Sequence, residues 1–211
     1  MDFLIKPISL FLCRRGAALC VAAALPIAAF AGEALCGVAN FQKLNDHAYR
    51  GAQPTDQGFR NLAGLGIQIV VDLREPGRRS LAEMKIVSSL RMHYVNVPMK
   101  GMEAPSNESI AKVLALLEDT TAGPVFVHCQ RGADRTGCVM ACYRIEHDHW
   151  RPAQALAEAR FLGMSWFQRS IQRYVRNYQA TIINVATPKI LWGIPPSSPS
   201  SAARSATLGT P

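Results

Sequence analysis

Ten consecutive residues hold most of the chemistry this sequence can perform: His128-Cys129-Gln130-Arg131-Gly132-Ala133-Asp134-Arg135-Thr136-Gly137. The apolar run Val125-Phe126-Val127 before them reads as a buried strand, and Arg135 to His147 reads as a helix. A loop that leaves a strand and enters a helix aims successive backbone N–H groups at one point and forms an anion cradle. The same amides and the helix dipole favour a thiolate, so Cys129 is expected to titrate below an ordinary thiol. Such a thiolate can attack phosphorus and form a covalent intermediate. The planar fork of Arg135 suits two phosphate oxygens. Gln130, Arg131, Gly132 and Ala133 form the cradle, and the Thr136 hydroxyl can hydrogen-bond the sulfur and ease its departure. His128 can orient the loop rather than act as a base. Gly132 and Gly137 allow a tight loop and a closely packed following helix.

The elements needed to present that loop are legible on either side of it. Ala48-Tyr49-Arg50 is a short strand. Thr55 to Leu65 reads as a helix with Thr55 as its N-cap and Gly66 as its stop. Ile67 to Leu73 is β-branched and apolar, as a strand covered on both faces must be. Ser80 to Leu90 is helical, Met92 to Val97 is a strand, and 98–105 is a loop. Ser106 caps a helix reaching Asp119, with Ile110, Val113, Leu114 and Leu117 on one stripe. Pro152 opens a helix to Phe161, and a last helix is expected from Ser165 to Val185. Alternating strands and helices imply a single α/β domain with a mainly parallel central sheet flanked by helices. Ligands of such sheets sit at the carboxyl ends of the strands, where Cys129 falls.

The ends of the 211-residue chain differ from its middle. Lys6, Arg14 and Arg15 precede an uncharged, Ala-rich run from Gly16 to Ala31 that closes on Ala29-Phe30-Ala31. That is the pattern of a cleaved signal peptide over 1–31, and its ~24 Å helical length is short for a membrane span. Export to the periplasm or exterior is expected; the alternative is an uncleaved segment anchoring the domain to the inner membrane. Residues 187–211 are rich in Pro, Ser, Ala, Thr and Gly and read as a disordered tail, which leaves 32–186 as the domain. With 49% hydrophobic and 18% charged residues the chain can build a core without disulfides or a structural metal. The formal charge is +8. Removing the leader and the tail leaves a modest excess that suits anionic substrates. No dense Lys/Arg run marks a nucleic-acid partner. Cys138 and Cys142 share a helix face and read as core residues. Four cysteines beyond the leader (Cys36, Cys129, Cys138, Cys142) also permit disulfides in an exported chain. His147 and His149 read as surface residues. The chemistry outlined calls for no metal and no cofactor.

The loop HCQRGADRTG matches the HC-x5-R-[ST]-G signature of cysteine-dependent protein tyrosine and dual-specificity phosphatases. With YRGAQP and GFRNLAGLGIQIVVDLRE before it, the chain resembles small bacterial dual-specificity phosphatases, which are similar to atypical plant and fungal enzymes acting on inositol pyrophosphates. It also resembles a mycobacterial secreted tyrosine and phosphoinositide phosphatase whose loop has Asp before Arg. The resemblance spans about Phe41 to Tyr178. It implies a cysteine phosphatase fold and hydrolysis of phosphotyrosine or phosphothreonine protein. The alternatives are a phosphoinositide or inositol polyphosphate substrate and, in another class, a phosphate-binding pseudophosphatase.

One part of the family pattern is missing. The general acid usually comes from an Asp in a separate loop, and 97–105 (VPMKGMEAP) contains none. Asp134 inside the signature, Glu103 in the 98–105 loop and Asp72 at a neighbouring strand end are the candidates. Asp72 has a second reading, as a strand-end residue hydrogen-bonding the loop, with Arg74 as its neighbour. Arg131 and Lys100 add positive charge that suits multiply charged substrates. Arg50 either binds substrate or pairs structurally.

Overall fold

A computed structural model describes residues 34–180; the leader at 1–31 and the tail at 187–211 lie outside them. Five strands form one sheet: β1 (Gln42–Lys43), β2 (Ala48–Ala52), β3 (Ile69–Asp72), β4 (His93–Asn96) and β5 (Val125–Cys129). Their order is β1-β2-β5-β3-β4, antiparallel only at the β1 edge. The parallel strands β2, β5 and β3 therefore end together. Ala52 lies opposite Cys129, and Asp72 opposite His128.

Among the described residues six α-helices flank the sheet: α1 (Asp56–Gly64), α2 (Arg78–Ser89), α3 (Asn107–Glu118), α4 (Asp134–Glu146), α5 (Pro152–Phe161) and α6 (Arg169–Asn177). Alternation along β3 divides the core. Ile69 and Val71 join Val125, Val127 and the buried faces of α3, α4, α5 and α6. Val70 and Phe126 face the other way, onto Phe59 and Leu62 of α1 and Val87 of α2. Two helix starts follow the expected caps. Thr55 accepts from the Gly58 amide and Ser106 from the Ser109 amide, both at 3.1 Å, a feature worth about 1 kcal/mol each.

The structure corrects the helix expected over Ser165 to Val185. Within the described residues it starts at Arg169 and ends at Asn177. Phe167, expected on its buried stripe, precedes it and is exposed. Gln168 is spent instead on the 98–105 loop, donating to the Gly101 carbonyl at 2.8 Å. The cysteines at 36, 129, 138 and 142 are all free thiols, the last three buried. Cys138 and Cys142 occupy the core, as their spacing implied.

Candidate active site

Cys129 is the last residue of β5, and α4 begins at Asp134, so only four residues separate strand from helix. Gly132 makes that turn possible. Its φ is +67°, and an added Cβ would lie 2.4 Å from the Gly51 backbone carbon. The loop thus rests directly on β2, with no room for a side chain between them. Gly137, one turn into α4, lets the helix approach Ala159 of α5 and Met164.

The environment of Cys129 sets its charge. Burial, the largest single influence, pushes the thiol up. The Thr136 hydroxyl, the Thr136 amide, the Arg135 charge and the Arg131 amide oppose it and win, holding the thiol below its ordinary value. Thr136 is fully buried, and its hydroxyl makes no hydrogen bond among the described residues, which leaves it free to serve the Cys129 sulfur. Arg135 is half-buried, and its Nη1 reaches the Met99 carbonyl at 3.3 Å and that of Leu73 at 3.5 Å. Both carbonyls lie past the ends of neighbouring strands, so they hold the guanidinium on the cradle side of the sheet.

The acidic candidates separate clearly. Asp134 is buried. Its Oδ2 accepts from Arg131 at 2.5 Å and its Oδ1 from the Ser165 amide at 2.8 Å. Glu103 is exposed and pairs with Lys100 at 3.1 Å. Asp72 is fully buried and accepts from the Arg74 amide, from Arg74 Nε and Nη2, and from the Tyr94 hydroxyl. Burial alone would raise the Asp72 carboxyl, but Arg74, His128 and Tyr94 hold it below the usual carboxylate value. A carboxylate so fixed is not a proton donor. Asp72 thus closes β3 as a strand-end residue whose partners are its neighbour Arg74 and Tyr94.

Beneath the loop lies a network the sequence did not reveal. His128 Nε2 meets Glu83 Oε1 of α2 at 2.7 Å. Glu83 Oε2 also accepts from Arg74 at 2.5 Å and from Gln53 at 2.8 Å. One helix carboxylate therefore ties together the segments following β2 and β3 and the strand β5. Asp72, Glu83 and His128 lie close enough to hold a metal ion, but the Arg74 guanidinium already bridges the two carboxylates. The signal for Glu83 was present: it shares the inward stripe of α2 with Ser80 and Val87. An acid on such a stripe needs a buried partner. His147 and His149 are exposed, and His147 bonds Asp148.

Outside the loop, a cleft of about 440 Å³ is lined by Arg135 and Gln130 together with Arg74, Glu75, Arg78 and Arg79. A larger groove bounded by α3 and α6 is lined by neither Cys129 nor Arg135.

A thiol lowered by the Thr136 and Arg131 amides at the end of a parallel strand, with Arg135 opening the helix that follows, is an arrangement that fits the cysteine-dependent phosphatases, and the comparisons with known proteins agree. The crystal structure of Pseudomonas aeruginosa TpbA superimposes with a TM-score of 0.58 at 25% identity, covering 67% of this chain and 86% of that one. More specifically, the chain belongs to the family described as DSP-PTPase phosphatase fused to NAD+ kinase, whose model matches residues 36–177. Among curated relatives, the inositol diphosphatase DSP5 of Arabidopsis thaliana is 27% identical over 153 residues, 70% of this chain and 73% of that protein. The dual specificity protein phosphatase TpbA of Pseudomonas aeruginosa is 31% identical over 130 residues, 59% of this chain and 55% of that protein.

Proposed function

We propose that this phosphatase hydrolyses phosphate monoesters through a cysteinyl-phosphate intermediate on Cys129. The observation that carries the reading is the place of Cys129 at the end of β5, four residues before a helix that opens with Asp134 and Arg135, in surroundings that hold its thiol below the ordinary value. The thiolate attacks phosphorus and displaces the alcohol or phenol. The amides of Gln130, Arg131, Gly132 and Ala133 and the fork of Arg135 hold the equatorial oxygens as charge develops on them. Asp134 is the proposed acid for the leaving oxygen. Both its oxygens are bonded here, so the step requires Arg131 to pass from Asp134 to the incoming phosphate. Glu103 is the alternative donor. Water then attacks the cysteinyl phosphate, the same acid accepts its proton, and Thr136 stabilises the departing thiolate. His128 and Asp72 support the loop without touching substrate.

Phosphotyrosine or phosphothreonine protein is the leading substrate, supported by the likeness to TpbA. A second reading, an inositol phosphate, is favoured by the exposed arginines 78 and 79 at the mouth of the site and by the likeness to DSP5. The discriminating experiment measures phosphate release from a phosphotyrosine peptide, a phosphothreonine peptide, phosphoinositide vesicles and inositol hexakisphosphate. Loss of peptide turnover in Cys129→Ser supports the first reading. A preference for the inositol substrates that collapses in an Arg78→Ala/Arg79→Ala variant establishes the second. Binding without turnover on every substrate makes the chain a pseudophosphatase. Export remains part of the proposal, supported by Lys6, Arg14 and Arg15 before the apolar run ending at Ala31. Sequencing the N-terminus of the protein recovered outside the cytoplasm tests it.

A further inference from the structure

The reaction outlined above leaves Arg50 without a task. This arginine of β2 is 1% exposed, with both neighbours in the strand buried as well. Its Nη2 donates to the Gly132 carbonyl, which also accepts from Asn40 Nδ2 at 2.9 Å. Its Nε and Nη1 are buried and make no hydrogen bond among the described residues. Two other arginines shielded from solvent behave differently. Arg74 meets Asp72 and Glu83, and Arg144 of α4 meets Asp148 and Glu158. Among the described residues Arg50 has no carboxylate of its own.

The charges that reach it are few. Burial pushes its guanidinium down to about 10, which leaves it cationic at neutral pH. Glu158 of α5 and the Cys129 thiolate favour that charge, and Arg144 opposes it. Glu158 is already bonded to Arg144 at 2.9 Å. Register places Arg50 opposite Val127 and Ala52 opposite Cys129, so Arg50 lies one strand repeat below the nucleophile. Gly132 presses on the Gly51–Ala52 backbone just above it.

We propose that Arg50 is a positioning residue of the phosphate loop: it clamps the Gly132 carbonyl from the sheet side and keeps an unneutralised cation beneath the loop, where a thiolate and a bound phosphate both need one. The proposal rests on the phosphatase reading and deepens it. Arg135 meets the phosphate from the half-exposed side, and Arg50 offsets the same negative charge from below without touching it. A buried guanidinium lacking a carboxylate is costly to fold around. An anion in the loop recovers part of that cost, so phosphate and Arg50 favour each other reciprocally.

Three substitutions separate the clamp from the charge. Arg50→Gln keeps a donor for Gly132 but no charge, Arg50→Lys keeps the charge without the fork, and Arg50→Met keeps neither. Two readouts are taken on each: the inhibition constant of inorganic phosphate against p-nitrophenyl phosphate hydrolysis, and the pH midpoint of Cys129 alkylation by iodoacetamide. A purely architectural role moves neither in a variant that stays folded. Charge support predicts that Arg50→Gln weakens phosphate inhibition on the order of tenfold and raises the alkylation midpoint by about one pH unit. Arg50→Lys retains most of both. If Arg50→Met does not fold, the Gln and Lys variants still decide the matter. A folded Arg50→Gln protein indistinguishable from wild type in both readouts overturns the proposal. Should the wild type release no phosphate from the ester, calorimetric phosphate binding replaces inhibition, so failure of the phosphatase reading is not confused with failure of this one.

Discussion

His128 and Glu83 stand 45 residues apart in the chain and 2.7 Å apart in the fold, with side chains 0% and 2% exposed. The histidine preceding the nucleophile is thus fixed by a helix on the far side of β3, not by the loop it adjoins. Removing one member of a buried ionic pair typically costs about 3–5 kcal/mol, because its partners are left buried and unpaired. Glu83→Ala strands His128, Arg74 and Gln53 together. Denaturant unfolding is expected to show a loss in that range, accompanied by a fall in kcat, while Glu83→Gln, which retains an acceptor, loses less.

The thiol of Cys129 is held below its ordinary value of 9.0. Alkylation of the peptide containing Cys129, followed by mass spectrometry to distinguish it from exposed Cys36, is expected to reach half its maximal rate below that pH. Thr136→Val removes the hydroxyl and moves the midpoint upward. A hydrogen bond to a charged group contributes roughly 1.5–3 kcal/mol, so the same substitution slows breakdown of the cysteinyl phosphate by about 10- to 150-fold.

Asp72 gives the fold an acid limit. Its carboxyl is buried, which raises it, yet Arg74, His128 and Tyr94 leave it below 3.8. A carboxyl depressed in the folded state binds its proton more readily when unfolded. Its contribution is therefore complete above the unfolded value and lost as pH falls through the folded one. Stability is expected to decline below about pH 4. Thermal unfolding of Asp72→Asn measured from pH 6 to pH 3 should start lower and show a shallower acid slope.

The proton donor is decided by two conservative variants. If Asp134 protonates the leaving oxygen, Asp134→Asn lowers kcat for an alkyl phosphate by about 100-fold or more and spares an activated ester such as p-nitrophenyl phosphate, which needs little acid assistance. Glu103→Gln then remains near wild type. The reverse pattern transfers the role to Glu103 and leaves Asp134 as the residue that joins Arg131 to Ser165.

The architecture was readable wherever local chemistry decides it. Thr55 and Ser106 announced their helices because a hydroxyl at an N-cap needs no tertiary partner. The strands at 69–72 and 125–129 showed as apolar runs because both faces of a parallel sheet are covered. Strand β1, with two residues, is too short to carry a period. Helix α2 begins at Arg78, two residues earlier than expected, with no side-chain cap to mark it. The spacing of Phe167, Ile171, Tyr174 and Tyr178 on one face suggested a longer last helix, but Phe167 belongs to the preceding turn. In the site, Cys129, Arg135 and Thr136 were legible because one strand-loop-helix holds them all. The pairing of Glu83 with His128 and the clamp of Arg50 on Gly132 were not, since each joins residues brought together only by the tertiary fold.

The central claim is that phosphate passes through Cys129. Rapid quenching of a phosphotyrosine-peptide reaction in acid, followed by mass spectrometry of the peptide containing Cys129, tests it directly. A phosphate adduct on that peptide in the wild type and in Thr136→Val, absent in Cys129→Ser together with turnover, is the predicted result. Steady phosphate release by Cys129→Ser, or turnover in the wild type with phosphate on another residue, would contradict it.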